Sequence, residues 1–139
     1  MRADYETARH ARQACAYDPA GCDFAAVALP NSPMDAQTRD LMQTRIDANL
    51  RAVDGHGEVK VRVESINVEG DRSFLTMCGY DTVVIYDVAD PANPADDIVF
   101  NDQSASFRVR WELRLDDGRW RIFAGETVDQ KFDADLCGF

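Results

Sequence analysis

The apolar residues of this chain change their spacing near Asp54-Gly55, and that change limits the folds open to it. Before this point they recur at helical intervals, as Met42, Ile46 and Val53 do. After it they alternate with polar residues, as in "EVKVRVES", which is the spacing of half-buried strands. Helices followed by antiparallel strands predict an α+β fold with the helices on one face of a sheet.

Three helices are predicted in the first half of the chain. The first covers residues 4–17 with Asp4 as its N-cap, and it carries Arg12 on its otherwise apolar face. A short second helix covers residues 23–29. The third begins at "NSPMD", where Ser32 is a good N-cap and Pro33 suits the first helical position, and its apolar stripe continues to Val53.

Four strands are predicted in the second half, over residues 58–65, 72–88, 97–115 and 119–128. Asp117-Gly118 predicts a tight type I′ hairpin between the last two. Strands this long must curl strongly to cover one helix, so the expected sheet is a four-stranded meander that encloses a cone-shaped cavity. At 139 residues the chain is expected to form a single domain, residues 1–139.

The net charge of −10 argues against nucleic acid as a partner, because an acidic surface repels phosphate. No apolar segment is long enough to span a membrane. The four cysteines form no CxxC pair, and neither histidine stands at a ligand-like spacing to them, so no metal site or cofactor is expected. An even cysteine count favours an extracytoplasmic protein with disulfides, and the alternative is a cytoplasmic protein with free thiols. The opening "MRADYETARH" contains no signal peptide, so an extracytoplasmic location presupposes a signal or anchor outside these residues.

The order of elements, together with the closing pattern of a long strand, "DDGRW" and a final strand, resembles the nuclear transport factor 2-like superfamily, with its cystatin-like cone fold. That group includes ketosteroid isomerase and polyketide cyclases as well as many non-enzymatic members. Cys78 in a central strand and Cys137 near the C-terminus resemble secreted actinobacterial members. The resemblance also implies that the convex sheet face is a dimer surface, although Arg108, Arg110 and Arg114 would resist burial there unless paired.

The alternation of the strands identifies polar residues on the core face. Pairing across the Asp117-Gly118 turn predicts that Trp111 faces Ala124 and that Val109 faces Glu126. Glu126 would then line the cavity or bond to a helix side chain such as Tyr5, Gln43 or Arg45. The proposed ligand-binding residues are Tyr5, Asn101, Gln103, Trp111 and Glu126, and the candidate general bases are Glu126 and Asp81. These residues would instead be solvated if the sheet continues past the helices.

Two classes of function follow. The first is an extracytoplasmic accessory or small-ligand-binding domain without catalysis, whose partner is a small apolar molecule or a protein. The second is a cofactor-free enzyme of the isomerase, dehydratase or cyclase type with a pocket carboxylate as general base. "LPNSP" leaves no room for the hairpin that the enzymatic relatives often place between the second and third helices, and this favours the first class.

Two disulfides are predicted. If Asp87 pairs near Val99, Cys78 lies beside Arg108 on the face opposite the core, and a returning tail would bring Cys137 to it. Phe132, Leu136 and Phe139 would then cover Tyr80 and Val84 on that face. Cys15–Cys22 is predicted because "DPAG" supplies a turn between the first two helices.

Overall fold

A computed structural model describes residues 1–139, and its elements confirm the predicted α+β class. Three helices precede seven strands. The helices are α1 (Arg2–Tyr17), α2 (Phe24–Val27) and α3 (Pro33–Asp47), with short 3₁₀ turns at Pro19–Gly21 and Pro94–Asp96. The strands are β1 (Leu50–Ala52), β2 (Val59–Glu69), β3 (Arg72–Asp81), β4 (Ile85–Asp87), β5 (Ile98–Asn101), β6 (Ala105–Asp116) and β7 (Arg119–Phe132). No helix is both long enough and apolar enough to cross a membrane.

The predicted start of α3 is confirmed. Ser32 accepts a hydrogen bond from the amide of Asp35 at 3.1 Å, and the Asp35 carboxylate accepts one from Asn31 N at 3.0 Å. Pro33 occupies the first helical position, where its missing N–H leaves no bond unmade. The N-terminus of α3 is therefore specified locally by its own sequence.

The predicted start of α1 is wrong, because the helix begins at Arg2 and Met1 is its N-cap. Asp4 instead lies in the first turn, where its carboxylate accepts a hydrogen bond from the backbone amide of Trp120 at 3.0 Å. A tertiary contact has replaced the local cap. It anchors the first turn of α1 to the start of β7.

The third helix ends at Asp47, short of the predicted limit at Val53. Asn49 adopts a left-handed conformation with φ 56°, and the chain then enters β1. The predicted second and third strands are also divided, so that β4 and β5 leave the main sheet and pair with β1 in the order β1-β4-β5. Strongly twisted sheets tend to divide in this way when their strands are long. Residues 50–53 therefore supply a strand and not the last turn of a helix.

The main sheet has the antiparallel order β2-β3-β6-β7, and its concave face covers the core. Tyr5 from α1 is fully buried there against Leu75, Leu113 and Ile122 from the strands. The predicted Asp117-Gly118 turn is confirmed, since both residues have positive φ, 50° and 75°.

Beyond this turn the predicted register of β7 holds only at first. Leu113 pairs with Ile122 as expected, but Glu112 then pairs with Ala124, so Phe123 is an extra, bulged residue. A one-residue slip moves every later side chain to the other face of a sheet. Glu126 consequently pairs with Arg110 and is exposed on the helix-free face. The prediction that Glu126 faces the core, or bonds to a helix side chain, is wrong.

Both predicted disulfides are present. Cys15–Cys22 links the end of α1 to the residue before α2 across a Cα separation of 4.6 Å, and Cys78–Cys137 joins β3 to the tail at 5.7 Å. Cys78 pairs with Arg108, as the predicted register required.

The tail returns to the sheet after β7. The hydroxyl of Ser106 donates to Ala134 O at 2.6 Å and accepts from Leu136 N at 2.8 Å. Arg62 stacks over the ring of Phe139 at 4.8 Å. Phe132 differs from the prediction, because it remains 57% exposed in β7 and lies at the rim of the cavity on the other face. The tail covers the outer face without it.

Arginines and acids form two ion-paired rows on the outer face of the sheet. Arg108 pairs with Glu64 at 2.6 Å and lies 3.9 Å from Asp129. Glu112 pairs with both Arg72 and Arg114, at 3.2 Å and 2.5 Å. The condition that these arginines be paired is met within one chain for Arg108 and Arg114, whereas Arg110 lies over the Phe74 ring at 4.1 Å and forms no ion pair. A dimer across this face stays a prediction.

Candidate functional site

A cavity of about 700 Å³ lies between the helices and the concave face of the main sheet. Its wall is largely apolar, with Met34, Leu41 and Met42 contributed by α3 and Val61, Met77 and Phe107 by the strands. Concave apolar cavities of this size are the usual form of sites for small organic molecules.

Five of the six residues proposed from the sequence line this cavity. Tyr5 and Trp111 lie at its inner end, and Asp81, Asn101 and Gln103 lie where the smaller sheet diverges. Glu126 is absent from the lining because of the bulge at Phe123. Tyr5 lies on the predicted face of α1, and the other four positions agree with strand alternation. The roles of all five in binding or catalysis stay predictions.

Trp111 forms the floor of the cavity, and its indole is fixed by close neighbours. Gly125 pairs with it on β7, and a Cβ atom at Gly125 would approach the indole ring to 2.5 Å. The Tyr5 ring is tilted against the indole with centroids 6.5 Å apart, and the Arg12 guanidinium lies 5.3 Å from the ring centroid. Only glycine at position 125 leaves room for the indole in this orientation.

Two buried polar atoms at the floor have no hydrogen-bond partner, the hydroxyl of Tyr5 and the indole N–H of Trp111. Tyr5 is 0% exposed and Trp111 7% exposed. Burial raises the pKa of Tyr5 to about 12, so the phenol is protonated, although the charge of Arg9 and the Trp111 indole act in the opposite direction. The phenol and the indole do not form a hydrogen bond of normal geometry. Buried polar groups are rarely left unbonded, because each loses its hydration without compensation. Both atoms can donate a hydrogen bond, and neither does so within the protein.

The charged residues that line the cavity are Arg9, Arg12, Arg45 and Asp81. Arg9 is paired with Glu6 on its own helix at 2.8 Å. Arg12 and Arg45 form no salt bridge and no hydrogen bond. Burial lowers the pKa of both guanidinium groups, and the charge of Arg45 lowers that of Arg12 further.

Asp81 lies at the end of β3 and is partly buried. Burial raises its pKa, while a 2.8 Å hydrogen bond from Val83 N and the charge of Arg45 partly offset that effect. No ion pair forms with Arg45, so the carboxylate does not neutralise the cavity arginines.

Sequence reasoning missed the two unpaired arginines. Arg12 was recognisable only as a charge on the apolar face of α1, beside Tyr5 and Cys15. Arg45 was named only as a partner for Glu126, and its position beside Asp81 on the cavity wall was not predicted. No group of three or more His, Cys, Asp or Glu side chains is arranged to hold a metal ion.

Comparison with protein-family models and with curated proteins finds no match. Among solved structures, the intermembrane space region of chloroplast protein ARC6 is similar, with a TM-score of 0.67 and 13% identity over 91% of this chain and 92% of that one. A nuclear transport factor 2-like protein of unknown function from Shewanella oneidensis MR-1 is also similar, with a TM-score of 0.52 and 11% identity over 92% of this chain and 98% of that one. At these identities the likeness concerns the fold alone. Helices followed by a curled antiparallel sheet that encloses a cavity, together with these similarities, identify the chain as having the nuclear transport factor 2-like fold.

Proposed function

We propose that this protein is a non-catalytic binding domain that holds a small organic molecule in the cavity between its helices and its main sheet. The observation that carries the proposal is the pair of unbonded donors at the floor, Tyr5 OH and Trp111 Nε1. They lie at the end of an apolar cavity of about 700 Å³, where a ligand acceptor would satisfy them.

The proposal includes an extracytoplasmic location. Both disulfides join cysteines of one chain and no free cysteine remains, which is typical of proteins that fold in an oxidising compartment. The ARC6 region with a similar fold lies in an intermembrane space, in agreement with this assignment. Denatured, unreduced protein from its native compartment should contain no free thiol. Four titratable thiols would contradict the location.

Binding is tested with Nile red, a neutral fluorescent probe of apolar sites, and two matched substitutions on β2. Val61 lines the cavity, so Val61→Phe should fill part of it and weaken Nile red binding. Val68 lies on the same strand but is 54% exposed and outside the cavity, so Val68→Phe should bind like the wild type. No saturable binding, or equal binding by both variants, would refute the proposed site.

One observation favours the enzymatic alternative: Asp81 lines the cavity and burial raises its pKa, as a general base requires. Such a base would remove a proton from the carbon beside a ketone and return one from solvent. Protein in D₂O should then exchange the α-protons of an enolisable cyclic ketone for deuterium, and Asp81→Asn should abolish the exchange. Exchange no faster than in buffer would rule this activity out for that substrate.

A further inference from the structure

The charge of the cavity is opposite to the charge of the whole chain. The protein carries −10 overall, with 25 acidic and 15 basic residues. The cavity wall nevertheless holds three arginines against the single carboxylate of Asp81. Glu6 neutralises Arg9, which leaves Arg12 and Arg45 without an ion pair. Buried charges are normally paired, because an isolated one loses hydration that nothing replaces.

Every unsatisfied group at the inner end of the cavity is able to donate a hydrogen bond. The Tyr5 hydroxyl and the Trp111 indole N–H are buried and unbonded, and the Arg12 guanidinium lies over the same indole. A guanidinium offers only donors, in a planar fork that matches a carboxylate, sulfonate or phosphate. A neutral ligand would leave both arginine charges uncompensated.

We propose that the ligand is an amphipathic organic anion, whose acidic head binds Arg12 and Arg45 and whose apolar body lies along the wall formed by α3 and the strands. This inference rests on the proposed binding function and adds the chemical class of the ligand. Asp81 lines the same cavity as Arg45 without forming an ion pair, so its negative charge would oppose an anionic head bound there.

The test compares decanoate with decan-1-ol, which have the same chain length and differ in the charge of the head. Calorimetric titration of the wild type should show much tighter binding of decanoate. Arg12→Met and Arg45→Met should each weaken decanoate binding by about tenfold or more and leave decanol binding unchanged, as expected for loss of a charge-assisted hydrogen bond. Arg2→Met is the matched control, because it removes the same charge from an exposed position of α1 outside the cavity.

A variant expected to bind decanoate more tightly is needed, because misfolding of a variant can explain only a loss of affinity. Asp81→Asn removes the opposing charge, so it should tighten decanoate binding without affecting decanol. Equal wild-type affinity for the two compounds would overturn the inference and leave the binding function intact. If Arg12→Met and Arg45→Met weaken the binding of decanoate and decanol equally, the inference would also be overturned, because the arginines would then have a structural role. No binding of either compound or of Nile red would refute the binding function itself.

Discussion

The two disulfides should contribute unequally to stability, because they close loops of very different length. In the chain-entropy model a crosslink stabilises by restricting the unfolded chain, and the effect grows with the logarithm of the loop length. Cys78 and Cys137 are 59 residues apart, which corresponds to about 4 kcal/mol. Cys15 and Cys22 are 7 residues apart, which corresponds to about 2 kcal/mol.

The two disulfides can be compared directly, since each contains one buried cysteine, Cys78 at 1% and Cys15 at 2% exposure. Replacing each pair by alanine should therefore leave similar small defects in the folded state. Urea unfolding is the assay. With a slope of about 2 kcal/mol per M, the variant lacking Cys78–Cys137 should unfold about 1 M earlier than the variant lacking Cys15–Cys22. Equal midpoints, or the reverse order, would refute the argument from loop length.

Three further perturbations test particular contacts. Asp81→Asn should raise the melting temperature at neutral pH, because burial raises the pKa of Asp81 and so disfavours its ionised form in the folded state. This gain in melting temperature should shrink as the pH falls through the raised pKa, and a gain that grows on acidification would contradict the shift. Gly125→Ala should displace the Trp111 indole and change its near-ultraviolet circular dichroism, because the new methyl group would overlap the ring. An unchanged spectrum would show that the ring is not fixed there. Ser106→Ala should lower the free energy of unfolding in urea by about 1–3 kcal/mol, because the buried hydroxyl forms two hydrogen bonds to the tail. A decrease below about 0.5 kcal/mol would show that the position of the tail does not depend on this hydroxyl.

Local signals in the sequence predicted those features that local physics determines. Ser32 and Pro33 specify the start of α3 through capping, and Asp117-Gly118 specifies the last hairpin through its backbone conformation. Alternation along β6 placed Trp111 on the core face, where it lies. The register that places Cys78 beside Arg108 followed from the assumption that Asp87 pairs near Val99, and in the structure Val99 pairs with the neighbouring Tyr86.

The errors arose where tertiary structure overrides the local pattern. The bulge at Phe123 turns Glu126 to solvent, and no residue in "RWRIFAGETV" marks it except Gly125, whose close approach to Trp111 becomes evident only in three dimensions. Residues 50–52 continue a helical stripe in sequence but pair with β4 in space. Arg45 on α3 and Asp81 at the end of β3 line the same cavity only through the tertiary packing of these elements. Strand alternation therefore finds the cavity wall, but it does not determine which charges face one another across it.

Trp111 forms the floor of the proposed binding site, and the protein contains an internal control for a test of that site. Trp120 is the other tryptophan, and it lies outside the cavity. The two indole N–H groups give separate signals in a ¹H–¹⁵N correlation spectrum of labelled protein titrated with decanoate. The Trp111 signal should move progressively and saturate, because its N–H gains a partner, while the Trp120 signal stays in place. A Trp111 signal that does not move, or two signals that move equally, would contradict the proposed binding site.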